Sequence, residues 1–222
     1  MSEEPDEAEV APAVRTDFPD LRLWTRAVTL AGPPGRRSPK DVRDHLKALA
    51  QRLHGARAIQ QRTEPVVRAH RVFFRHVGLD PDADESRTPA EELTLTRLKK
   101  GGLASHGPVA DALTVALAET GVGVWALDAA TVRGPLELRE ARAGESMGRG
   151  ELVSDAAPRR LVIADAEGPL AVLFRDPAAP HLPGPATAAV LLYAVQVPHV
   201  PRVHVEEALW LAASTLDPRL DG

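Results

Sequence analysis

Arg175 and Asp176 close the segment LVIADAEGPLAVLFRD, residues 161–176, where two apolar runs flank a short polar turn. An arginine fork can grip a carboxylate or a phosphate. A carboxylate beside it can accept an α-ammonium group or orient a water. The plainer alternative is an exposed ion pair at a strand end, worth about 0–1 kcal/mol. His181, in the proline-rich run that follows, is a further candidate by residue type alone. A second set of groups lies upstream. Arg68, Arg71 and Arg75 line one face of a helix, a spacing that could meet phosphate groups.

Several chemistries are excluded. The chain has no cysteine, so thiolate metal sites, disulfides and cysteine nucleophiles are absent. No phosphate-loop motif and no GxSxG elbow occur. Gly121 and Gly123 lack the third glycine of a dinucleotide fingerprint. Ser105 and His106 are mere sequence neighbours, which is not how a triad assembles. His199 and His204 straddle Pro201 and cannot share a helix face as zinc ligands. No cofactor and no metal are expected.

The elements that must position these groups can be read from periodicity and punctuation. An alternating strand is expected within residues 18–30. Ser38 and Pro39 read as the cap and first position of a helix carrying Val42, Leu46, Leu49 and Leu53. Helices follow from Pro65 to near Val77, from Thr88 to Lys100 with a Thr88–Glu91 capping box, and from Val109 to Thr120. Strands are expected at residues 122–127, 136–142, 161–164, 169–174 and 188–197, then a closing helix at 205–216. The turn of the 161–174 hairpin falls at Glu167–Gly168. This order is α+β and not a regular βαβ alternation. Trp125, inside an apolar strand, reads as core more readily than as a stacking platform.

Charge is distributed unevenly. The net charge is −4, yet five of the 31 acids stand in the first ten residues. Residues 1–16 therefore read as an acidic disordered tail, ahead of one domain at 17–222. Residues 36–75 hold eleven Lys or Arg against three acids. That surplus fits either a solvated helical surface or a phosphate-facing one. The chain opens without a basic, apolar leader, and the apolar run at 188–197 is too short to span a bilayer. The cytoplasm is the expected compartment.

Three blocks, residues 65–102, 106–145 and 161–176 followed by Thr187, resemble the editing (tRNA-binding, B3/B4-type) domain of the bacterial phenylalanyl-tRNA synthetase beta subunit. The resemblance covers roughly residues 60–216 and is closest to free-standing versions of that domain. Its most telling part is VWALDAATVRGPLELREARAGE, with Asp128, Gly134, Arg139, Ala141, Gly144 and Glu145 at the matching positions. The resemblance implies a three-layer sheet-and-helix module with a pocket between layers. It also implies hydrolysis of a mischarged aminoacyl-tRNA ester, with tRNA as the partner. No DNA partner is implied. The parts that charge tRNA are missing, so ligase activity is not expected.

By the same resemblance, Arg175, Asp176, Asp111 and His106 frame a pocket for the 3′ end of tRNA, and Thr187 contributes to substrate binding. Asp176, Asp111 and His106 are then the catalytic candidates and Arg175 and Thr187 the substrate-binding ones, to which His181 is added by residue type alone. His106 and Thr114 stand where the family carries asparagines. The family's acid that reads a tyrosine hydroxyl has no counterpart between Pro177 and Thr187. A different acyl group, or no catalysis, is therefore expected, since a buried phenol needs an acceptor. Asp111 also admits the plain reading of a first-turn acid facing the helix dipole. Two functions stay open: an aminoacyl-tRNA hydrolase acting in trans, and a non-catalytic module that binds RNA or an amino-acid-like ligand.

Overall fold

The fold was taken from a computed structural model, which describes residues 4–32, 34–83, 86–147, 150–153 and 159–221. The chain opens with β1 (Asp6–Val10), α1 (Pro12–Asp17) and β2 (Arg22–Thr29). Five helices follow: α2 (Lys40–Arg52), α3 (Gly55–Gln61), α4 (Pro65–His76), α5 (Pro89–Lys100) and α6 (Pro108–Thr120). Next come β3 (Val124–Asp128), β4 (Glu137–Glu140) and a two-stranded ribbon of β5 (Ser146–Met147) and β6 (Gly150–Glu151). The chain ends with β7 (Leu161–Ala164), β8 (Pro169–Val172), β9 (Ala189–Gln196) and α7 (Arg202–Leu216). Helices against one mixed sheet make an α+β fold, as expected, and it is compatible with the three-layer module.

The main sheet has the order β3-β9-β2-β1-β4-β7-β8. Its middle strand is the correction to the expected tail. Residues 1–3 lie outside the described residues, but Asp6–Ala8 pair antiparallel with β2, and Glu9 and Val10 pair parallel with β4. β1 thus joins the two halves of the sheet. The reason is visible in DEAEV. Ala8 and Val10 alternate with acids, so one face is apolar and the other is wet. Composition averaged over ten residues hid a period of two. Glu7 faces Arg22 at 3.2 Å on the wet side.

Register decides what each face carries. β3 and β9 pair with Trp125 opposite Tyr193 and Val124 opposite Ala194. Trp125 and Tyr193 therefore share one face and stack at 5.7 Å between centroids. On the other face Ala194 pairs with Trp24, and the Arg202 guanidinium at the start of α7 lies 4.5 Å over the Trp24 ring. That contact puts α7 on the second face. Trp125 also packs on Phe174, which touches Phe73 and Phe74 of α4. These rings join α4 to the sheet in one hydrophobic core.

Gly123 is required by that arrangement. A Cβ there would stand 2.5 Å from the Trp125 ring. Phe174 sits at φ 60° just past β8, a left-handed conformation that costs a non-glycine residue about 1–2 kcal/mol. Its ring contacts offset that cost. The hairpin itself is as expected: β7 pairs antiparallel with β8, and the Asp165 carboxylate accepts from the N–H of Glu167 and of Gly168 in the turn. The second strand stops at Val172 because Leu173 and Phe174 turn.

Candidate functional site

A cavity of about 390 Å³ opens between the first turn of α6, the loop before α2 and the proline-rich loop after β8. His106 and Asp176 both line it, with Arg36 across the mouth. Trp125, Leu113 and Leu182 supply apolar wall. Two of the expected site residues thus come together from segments 70 positions apart. Arg36 was expected only as part of a basic stretch. The signal that could have found it is the loop sequence GPPGRR, where glycine and proline hold a short chain close to its neighbours.

The first turn of α6 faces this space. Gly107 is its N-cap at φ 107°, Pro108 follows at the first helical position, and no side chain caps the helix. Gly107, Pro108, Val109 and Ala110 all line the cavity. Uncapped N–H groups at a helix N-terminus carry partial positive charge and suit an oxyanion, a carboxylate or a phosphate.

Asp111 lies beneath the cavity wall and takes another role. It is 1% exposed. Its carboxylate accepts from the Ser38 hydroxyl at 2.5 Å, the Ser105 hydroxyl at 2.5 Å and the His106 N–H at 2.7 Å. Ser38 was expected to cap α2. The cap position is Pro39, without a side-chain bond, and the Ser38 hydroxyl turns to Asp111 instead. One buried carboxylate therefore ties together both loops that carry Arg36 and His106. With three donors engaged, Asp111 positions the wall and has no unengaged side of its own aimed at a ligand.

The proline-rich loop is fastened at its far end. Thr187 is buried, donates to the Asp128 carboxylate at 2.6 Å and accepts from the Gly184 N–H at 2.8 Å. His181 faces the Thr131 hydroxyl at 3.2 Å. Neither Thr187 nor His181 lines the cavity. Arg175 is exposed at the turn before Asp176 and also stands outside the cavity lining. Asp176 acts on the core beneath. Burial, and after it the negative charge of Asp176, pushes the Tyr193 phenol up from its ordinary value. Tyr193 stays protonated and neutral under Trp125.

The arginine stripe of α4 divides. Arg68 and Arg75 are exposed, but Arg71 is not. It is 8% exposed and bonds Glu91 at 2.7 Å, Asp82 at 2.5 Å and the Pro81 carbonyl at 3.2 Å. Arg71 is a buried clamp between α4 and α5 and cannot reach a phosphate. Arg75 and Arg62 converge on the same Asp82, at 3.1 and 3.4 Å. These arginines hold the Asp82 carboxyl below its ordinary value, Arg71 most of all. Part of the sequence surplus in this region is therefore paired with Asp82 and Glu91, and Arg71 is buried in doing so.

The motif residues of the VWALD…ARAGE block are likewise structural. Asp128 holds Thr187, as above. Arg139 is buried and forks onto Glu145 at 2.7 and 2.9 Å, which lowers the Glu145 carboxyl below its usual range. Gly134 and Gly144 both adopt φ 82°. Among the described residues no cluster of three or more His, Asp or Glu is placed to hold a metal, and no helix is long and apolar enough to cross a membrane.

No family model matches the chain. The phenylalanine–tRNA ligase beta subunit of Chromobacterium violaceum is 29% identical over 180 residues, covering 76% of this chain and 22% of that protein. The two are distantly related, and the chain spans less than a quarter of the relative's length.

Proposed function

We propose that this chain is a tRNA-directed module that receives the 3′ end of an aminoacyl-tRNA and hydrolyses its ester. The observation that carries the reading is the meeting of His106, Asp176 and the uncapped first turn of α6 around one cavity. The distant relationship to a synthetase beta subunit, over 76% of the chain, supports the choice of substrate. An aminoacyl ester is already activated, so the work is to hold it and steer a water. Asp176 accepts the α-ammonium. The N–H groups of Val109 and Ala110 face the carbonyl oxygen as it becomes negative. The His106 imidazole takes a proton from the attacking water and returns it to the departing ribose oxygen. Water adds to the carbonyl carbon, the ester C–O bond breaks, and free amino acid and tRNA leave. No covalent nucleophile is needed.

The acyl side chain meets Trp125, Leu113 and Leu182, and the loop from Pro177 to Thr187 offers no acid. Apolar side chains fit this lining better than a phenol does. The engagement of Asp111 favours a second reading, binding without hydrolysis, because one of the three expected catalytic groups is occupied. The test times ester loss from a panel of mischarged and correctly charged tRNAs incubated with the protein. Acceleration that falls in His106→Ala and Asp176→Ala supports hydrolysis. Salt-sensitive tRNA binding with no acceleration selects the second reading. Neither binding nor acceleration defeats both.

A further inference from the structure

A larger groove, about 610 Å³, lies on the other side of the loop that walls the first cavity. Pro34, Gly35 and Pro108 line both spaces, so the partition is only one loop thick. The two adjacent arginines divide between them: Arg36 lines the first cavity and Arg37 the groove. Neither side chain makes a hydrogen bond or ion pair among the described residues. On the far wall stands Trp210 of α7, 43% exposed, whereas Trp24 and Trp125 are buried. The other polar side chains with ionisable groups there are Asp41 and His45, and His45 is turned to Glu119 at 3.0 Å. Arg37 and Asp41 together leave the groove close to neutral, and the adjacent Arg36 lines the first cavity on the other side of the loop.

We infer that the groove is a nucleoside subsite. A single-stranded RNA end crosses the loop, its phosphate gripped by Arg36 and Arg37 on the crest and the penultimate base stacked on Trp210. This rests on the reading of the first cavity as the site of the terminal aminoacyl nucleoside. Arginine forks match phosphate oxygens, and every base has a face that an aromatic ring can stack against. A neutral groove flanked by paired cations fits a base and sugar followed by a phosphate better than it fits a run of acidic side chains. Trp210 stands outside the hydrophobic core that packs α7 against the sheet.

The test uses the full chain and a short single-stranded RNA with a free 3′ hydroxyl. Binding should quench tryptophan emission, and Trp210→Phe should remove the larger part of that quench, leaving only what Trp125 contributes, while largely preserving affinity measured by anisotropy. Trp210→Ala should weaken binding about five- to hundredfold, the loss of one stack. Arg37→Ala should lower the slope of log affinity against log salt by about one. Hydrolysis of an aminoacyl nucleoside lacking the upstream nucleotide should be unchanged in Trp210→Ala, while KM for the oligonucleotide ester rises. Equal binding by folded Trp210→Ala overturns the subsite and leaves the hydrolase reading standing. So does equal cleavage of the long and truncated esters by the unaltered chain. Self-association of the chain that depends on Trp210 would assign the groove to a second copy and also overturn it.

Discussion

Replacing Asp111 tests whether one buried carboxylate builds the site. Asp111→Ala removes the acceptor shared by Ser38, Ser105 and the His106 N–H. Hydrogen bonds to a charged group contribute about 1.5–3 kcal/mol each, and they are not additive. Ser105 is exposed and can turn to water, while Ser38 is buried and cannot. The expected loss is therefore about 2–4 kcal/mol, close to one buried charged bond plus part of the others. For a chain of this size, about 3 kcal/mol lowers the melting temperature by about 6–12 °C. Asp111→Asn keeps one oxygen acceptor and should lose about half as much. The assay is thermal unfolding followed by circular dichroism, run as a double-mutant cycle with Ser38→Ala. Coupling between the two should exceed about 1 kcal/mol, since they share one bond. A loss below about 0.5 kcal/mol in Asp111→Ala, or additive effects with Ser38→Ala, would refute the clamp. A surviving folded Asp111→Asn should raise KM more than it lowers kcat, because the walls carrying Arg36 and His106 loosen while His106 remains.

Three further outcomes follow from the packing. Gly123→Ala drives a Cβ into the Trp125 ring, which Phe174 and Tyr193 hold in place; a loss of about 1–3 kcal/mol by urea unfolding and a changed ligand affinity are expected. His70 is buried, and desolvation lowers its pKa below the ordinary 6.5, with a bond to the Val66 carbonyl opposing. The unfolded chain then binds the proton first, so stability is full above about pH 6.5 and falls as pH drops towards 5. The lowered carboxyls, Asp82 and Glu145 among them, act only below their ordinary values of 3.8 and 4.5. His70→Phe should flatten the melting temperature between pH 7 and 5. Arg71→Met leaves Glu91 buried without its main partner and should cost about 3–5 kcal/mol, while Arg68→Ala should leave stability unchanged and weaken RNA binding.

The parts legible beforehand were those whose physics is local. The Thr88–Glu91 capping box forms within three residues, so reading it needed no fold, and α5 begins where it says. Pro108 and Gly121 bracket α6 for the same reason, one unable to donate and the other at φ 74°. Asp165 satisfies its own hairpin turn. Where a side chain's partner is distant, the reading failed. Ser38 looks like a cap until Asp111, 73 positions away, takes its hydroxyl. Arg71 looks like a member of an exposed stripe until α5 brings Glu91 against it. Phe174 gives no local sign of its left-handed backbone, which the surrounding rings impose.

The candidate site divides the same way. Residue types, an apolar hairpin ending in Arg175–Asp176 and a helix opening shortly after His106 could be read from the sequence. Which of them face one space was settled by strand register and by a single buried carboxylate. Register put Trp125 and Tyr193 under Asp176. Asp111 drew the loops of Arg36 and His106 to one mouth and left Arg175, His181 and Thr187 outside it. The sequence by itself determined the α+β class, most helix limits and the polar groups on offer, because propensity, capping and turn chemistry act over a few residues. Only the tertiary structure decided that the acidic start is the central strand and which charges are spent inside. It also decided which two of the expected residues line one cavity, because those outcomes depend on packing and desolvation between segments tens of residues apart.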